Sequence, residues 1–75
     1  MADKMLDARG LKRPLPILRA KKALSQIAEG GTLEILASDE AVFEDFKLFC
    51  KTTGCKLISY TEDNGVQKIV IQNTE

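Results

Sequence analysis

The side chains able to do chemistry in this sequence are few: two cysteines, Cys50 and Cys55, and a group of cations around Arg13. Histidine is absent, which removes the commonest general base and the usual partner of a serine or cysteine nucleophile. Hydrolytic triad chemistry is therefore not expected. Two cysteines are too few for a disulfide scaffold, and their spacing without any histidine argues against a zinc site. A reducing compartment suits them best. Cys50 falls on an apolar helical stripe and reads as a buried structural thiol. Cys55 follows Gly54 at the carboxyl end of that helix, where the dipole disfavours a thiolate and Lys56 offsets this only slightly. A redox or carrier role for Cys55 is the less favoured reading.

Arg13 stands in the run Gly10-Leu11-Lys12-Arg13-Pro14-Leu15-Pro16, which leads from a short apolar strand into a helix. A side chain there sits at the helix's amino end, where open amide groups favour an anion such as a thiolate and disfavour a guanidinium by about 0.3–1 kcal/mol. Solvent or an acid such as Asp7 would have to offset that cost. Arg9, Lys12, Arg13, Arg19 and Lys22 form a basic cluster with two readings: a docking surface for an acidic protein or RNA phosphates, or a solvated face balancing the acidic remainder. Readers of single-stranded nucleic acid add exposed rings for stacking. With Phe46, Phe49 and Tyr60 assigned to the core, only Phe43 is left, so a protein partner is favoured over RNA.

At 75 residues the chain reads as a single domain over 1–75, near the lower size at which one core can carry a fold. Net charge is zero, yet Lys4, Arg9, Lys12, Arg13, Arg19, Lys21 and Lys22 crowd the first third while most acids come later. Such a dipolar molecule steers a partner onto its basic end despite its overall neutrality. No apolar run approaches the roughly 20 residues of a membrane helix, and Met1-Ala2-Asp3-Lys4 lacks the layout of a secretion signal. The expected location is the cytoplasm, with no cofactor and no metal.

The elements that position these residues follow from periodicity. Met5 to Ala8 reads as a first strand. A helix runs from Pro14, suited to the first helical position, to about Ala28, with Ile17, Ala20, Leu24 and Ile27 on one face. Gly30-Gly31 ends it. Thr32 to Ala37 is a strand with Leu33 and Ile35 inward. Ser38 or Asp39 caps a second helix whose apolar stripe is Val42, Phe46, Phe49 and Cys50, and Gly54 stops it. Asn64-Gly65 signals a hairpin. Pairing Asp63 with Val66 sets Tyr60 opposite Ile69 and Ile58 opposite Ile71, all facing one side. Leu57 then takes the other, mostly polar side. The result is a β-α-β-α-β-β chain, an α/β two-layer sandwich with two helices on one face of a four-stranded mixed sheet.

The sequence resembles the small TusA/SirA/YedF-like sulfur-carrier proteins. The resemblance rests on Leu6-Asp7-Ala8-Arg9-Gly10-Leu11-Lys12 followed by Pro14-Leu15-Pro16-Ile17-Leu18, on Ala20 to Leu24, Gly31 to Ile35 and Asp39, and on Phe49-Cys50-Lys51-Thr52-Thr53-Gly54. It implies the same two-layer fold, and a sulfurtransferase role in which a cysteine before the first proline accepts sulfane sulfur. The donor would be a desulfurase or rhodanese-like protein, and the persulfide would pass to a downstream acceptor, for example toward tRNA thiolation. In that pattern Gly10, Leu11, Lys12, Pro14 and Pro16 frame the site, and Arg13 occupies the sulfur-bearing position. Arginine has no sulfur, so direct transfer from position 13 is not expected. The alternative expectation is a non-catalytic regulatory or binding module that docks through its basic end.

Overall fold

The computed structural model describes residues 3–74; Met1 and Ala2, part of the segment read for a secretion signal, and the terminal Glu75 lie outside the described residues. The order of elements is β1 (Lys4–Asp7), α1 (Leu15–Leu24), β2 (Thr32–Ala37), α2 (Ala41–Thr53), β3 (Lys56–Asp63) and β4 (Val66–Gln72). The sheet order is β1-β2-β4-β3, with β1 parallel to β2 and the other pairs antiparallel. This is the expected two-layer α/β arrangement, with both helices over one face of a mixed sheet.

Alternation explains which face the helices cover. Leu33, Ile35 and Ala37 of β2 and Ile69 and Ile71 of β4 are buried, and the register sets Leu33 against Ile71 and Ile35 against Ile69. Onto these pack Ala20, Ala23 and Leu24 of α1 and Val42, Phe46, Phe49 and Cys50 of α2. The apolar stripe of α2 is as the spacing predicts. Phe46 and Phe49 meet edge to face with centroids 6.0 Å apart, an arrangement the ring quadrupoles favour.

Three expectations need correction. First, α1 ends at Leu24 rather than near Ala28. Beyond Leu24 the chain tightens to three-residue turns, with the Gln26 amide donating to the Ala23 carbonyl at 3.1 Å and the Ile27 amide to the Leu24 carbonyl at 3.0 Å. The Asn73 side-chain amide, from beyond β4, donates to the carbonyls of Ile27 at 2.7 Å and Leu24 at 3.4 Å. Second, the hairpin turns at Asn64-Gly65, whose φ values of 53° and 78° are both positive, and it pairs Tyr60 with Ile69 as expected. A bulge between Leu57 and Ser59 then sets Leu57, not Ile58, opposite Ile71. Leu57 therefore packs against the core, and Ile58 is exposed. Third, Phe43 is not an exposed ring: it is half-buried and stacked on Tyr60 with centroids 4.0 Å apart.

Gln67 is a buried polar residue that the sequence reading leaves out. Oriented by its neighbours, its amide donates to the Asp39 carbonyl at 3.2 Å and accepts from the Glu40 amide at 3.3 Å. It ties β4 to the start of α2, where Asp39 Oδ1 also accepts from the Ala41 amide at 3.0 Å.

Candidate functional site at the seam between the helices

The run from Gly10 to Pro16 forms the entry to α1. The Gly10 amide donates to Ser38 Oγ at 2.9 Å, which anchors the loop to the end of β2. Leu11 is half-buried against the core, while Lys12, Arg13 and Pro14 are exposed and Pro16 is buried. The Arg13–Pro14 peptide bond is cis. The amino end of α1 offers fewer donors than expected. Pro14 and Pro16 have no N–H, the Leu15 amide donates to the Lys12 carbonyl at 2.8 Å, and no acid stands in the first turn.

Arg13 is neutralised from across the seam. Its Nε and Nη2 donate to the two carboxylate oxygens of Asp45 at 2.6 Å each, a two-pronged geometry that suits a guanidinium. The acid that answers Arg13 is therefore Asp45 of α2, and Asp7 is engaged elsewhere. Asp45 keeps only 19% of its side chain exposed, against 55% for Arg13. These hydrogen bonds, and then the Asp45 charge, hold the Arg13 guanidinium protonated even more firmly than usual. Beside the pair lies a groove of about 460 Å³ walled by Pro14, Ile17, Leu48, Phe49 and Thr52. Leu48 is 62% exposed at its rim. Asp45 is the residue that sequence reasoning missed, although its place one turn before Phe49 on the core-facing side of α2 was a usable signal.

Arg9, Arg19 and Lys22 do not converge on Arg13. Arg9 folds back on Asp7, with Nε and Nη2 donating to its carboxylate at 2.9 and 2.8 Å. Those hydrogen bonds hold the Asp7 carboxyl down at about 2. Arg19 and Lys22 line a separate hollow with Leu6, Ala23 and Gln26. Lys21 lies on the α2-facing side, beside Leu24 and Phe49.

At the other end of the seam the two cysteines are joined. Gly54, with φ 86°, turns the chain back after α2, a conformation that glycine adopts without strain. The turn brings the Cα atoms of Cys50 and Cys55 to 4.6 Å, and their sulfurs form a disulfide. The reading of Cys50 and Cys55 as two separate thiols is thus corrected. The cause is local, since a glycine cap folds the residue after it onto the last helical turn. Cys50 is buried, whereas Cys55 is half-buried and opens into a second groove of about 230 Å³ that also touches Lys21, Leu24, Phe49 and Thr53. Among the described residues no group of acids, cysteines or histidines could hold a metal.

Comparison with known proteins places this geometry among relatives. The family model described as Sulfurtransferase TusA matches residues 4–73. A Neisseria meningitidis serogroup A protein whose name is that of a sulfur carrier is 48% identical over 73 residues, covering 97% of this chain and 99% of its own. Sulfur carrier protein TusA of Allochromatium vinosum is 42% identical over 72 residues, covering 96% and 95%. The crystal structure of a SirA-like protein from Desulfitobacterium hafniense superposes with a TM-score of 0.84 at 31% identity, covering 96% of this chain and 99% of that one.

Proposed function

We propose a role in sulfur relay for this chain, on the premise that it belongs to the sulfurtransferase TusA family. The observation that carries the proposal is the entry to α1. There the framing residues Gly10, Leu11, Lys12, Pro14 and Pro16 surround a position that opens beside an apolar groove. In this reading the groove, with Leu48 exposed at its rim, receives protein partners: a persulfide-bearing donor of the desulfurase or rhodanese kind and a downstream acceptor. Thiolation of tRNA is one outlet consistent with such a relay. Arg9, Lys12, Arg19 and Lys22 are proposed as peripheral partner contacts. The proposal keeps the chain in the cytoplasm, and no helix among the described residues is long and apolar enough to cross a membrane.

Position 13 itself carries no sulfur in this chain. A guanidinium forms no persulfide, and with Asp45 gripping both prongs Arg13 serves as a bridge between α1 and α2. The test is to install a thiol, Arg13→Cys, and incubate it with a cysteine desulfurase and cysteine, mapping added sulfur by peptide mass. Loading at position 13 is expected. A folded Arg13→Cys chain that takes no sulfur there would overturn the relay reading and favour a module that only docks.

A further inference from the structure

The Cys50–Cys55 disulfide offers a route to sulfane sulfur that does not use position 13. Cys55 is the more reachable of the two: Cys50 keeps 7% exposure within the core, whereas Cys55 is half-buried and lines the second groove. That groove combines apolar walls, Leu24 and Phe49, with the Lys21 side chain. Lys56, next in sequence to Cys55, is exposed at the start of β3. A small anionic sulfur nucleophile is what such a space admits, drawn in by the cations and too small to be stopped by the walls. The Thr53 hydroxyl lies 3.5 Å from Cys55 Sγ and 2.7 Å from the Phe49 carbonyl. By rotating it can donate to a new sulfur anion on Cys55.

We propose that the Cys50–Cys55 disulfide is a reversible capture site for hydrosulfide, with Cys55 as the residue that holds the captured sulfur. Hydrosulfide attacks Cys55 Sγ, and a sulfur–sulfur bond forms between the incoming atom and Cys55. The Cys50–Cys55 bond breaks, and its electron pair leaves on Cys50 Sγ, which takes a proton. The products are a Cys55 persulfide and a Cys50 thiol. The captured sulfur has been oxidised to the sulfane level, and the disulfide is the oxidant, so no other redox partner enters. Buried in the last turns of α2, Cys50 is poorly placed to remain a thiolate. The Cys55 persulfide is therefore protected from immediate displacement. In reverse, Cys50 loses its proton and attacks the inner Cys55 sulfur, expelling hydrosulfide and closing the disulfide.

This inference rests on the sulfur-relay reading, and its test is arranged so that the two can fail separately. The air-equilibrated full chain is first checked for free thiols, and none are expected. It is then treated anaerobically with one equivalent of sodium sulfide, alkylated, and analysed by intact mass and peptide mapping. The expected product has one added sulfur on the Cys55 peptide and one alkylated thiol at Cys50, and removal of sulfide restores the disulfide. Cys55→Ser should gain no sulfur, and Lys21→Glu should slow capture several-fold at low salt while leaving the disulfide intact. Two free thiols at the outset, sulfur mapped to Cys50, or a disulfide unchanged by sulfide would each overturn the proposal. Desulfurase loading of Arg13→Cys is run in parallel. Loading at position 13 without capture at Cys55 rejects this inference alone, and capture at Cys55 without loading at position 13 rejects the relay reading alone.

Discussion

The two ends of the seam between α1 and α2 use the same materials for opposite purposes. At one end, a loop enters α1 beside the wider groove, and its central side chain is a cation locked to Asp45. At the other, a glycine turn leaves α2 beside a narrower groove, and its central side chain is half of a disulfide. Phe49 lines both grooves, so one buried ring forms a wall of each. The difference teaches that one seam can carry an ion pair at one end and a covalent bond at the other. The entry to α1 retains its prolines, loop anchor and groove while lacking a sulfur atom. The exit from α2 has sulfur atoms in a setting built by a helix cap.

The change with the largest expected effect is therefore at the shared wall. Phe49→Ala removes a ring that packs edge to face on Phe46, and large-to-small core changes of this kind cost about 3–5 kcal/mol. Denaturant unfolding should show that loss, and both grooves should widen together. If binding at the Arg13 end and reactivity at the Cys55 end responded independently to a milder Phe49→Leu, the two ends would be less coupled than a common wall requires.

Next comes the disulfide. A crosslink that closes so short a loop stabilises by roughly 2 kcal/mol on the chain-entropy account, less than a bridge closing a long loop. Cys55→Ser should lose that much unfolding free energy under oxidising conditions, read as a fall of roughly 8–16 °C in the thermal midpoint for a domain of this size. In the presence of a strong reductant the difference from the parent chain should nearly vanish. A Cys55→Ser chain as stable as the oxidised parent would mean that the bridge contributes reactivity and no stability.

The ion pair at the other end should matter less. Arg13 is more than half exposed, and exposed pairs are worth about 0.2–1 kcal/mol, less in high salt. A double-mutant cycle with Arg13→Ala and Asp45→Ala should give a coupling in that range that shrinks as salt is added. Asp45→Ala alone should be milder than Arg13→Ala alone, because the latter leaves a mostly buried carboxylate without its partner. The reverse order would place the structural weight on Arg13's own packing.

What the sequence reveals about these two ends depends on how local the causes are. The Asn64-Gly65 turn and the α2 stripe are legible because turn chemistry and helical spacing act over a few residues. The end of α1 is not, because Asn73 reaches Leu24 from 49 positions away along the chain. The bulge at Ile58 is equally hidden, since strict alternation assigns Ile58 to the core and only the sheet's actual pairing releases it. At the candidate site, Arg13 and its framing prolines stand out in the sequence, but Asp45 does not. Its role arises only when α2 is laid beside the entry to α1. The disulfide is an intermediate case. A cysteine, a helix end, a glycine and a second cysteine contain the needed signal, but the left-handed turn at Gly54 has to be built before the sulfurs meet.

The smallest effect concerns the exposed pair next to the entry loop, and it sharpens the contrast through pH. Hydrogen bonds from Arg9 hold Asp7 at about 2, below its ordinary value of 3.8. A carboxyl group lowered on folding contributes stability that is fully present above its unfolded value and is lost as pH falls through the folded one. The contribution of Asp7 should therefore be constant from neutrality down to about pH 4 and fade between about pH 4 and pH 2. Both partners are about half exposed, so the effect should be slight and should weaken with salt. Comparing the parent chain with Asp7→Asn across that window would isolate it, since the variant removes the titration and keeps the shape. The Cys50–Cys55 bridge does not titrate, so Cys55→Ser should leave the acid limb of the stability profile in place while lowering all of it. A change in the position of that limb would tie the disulfide end to the charged end more closely than Phe49 alone allows.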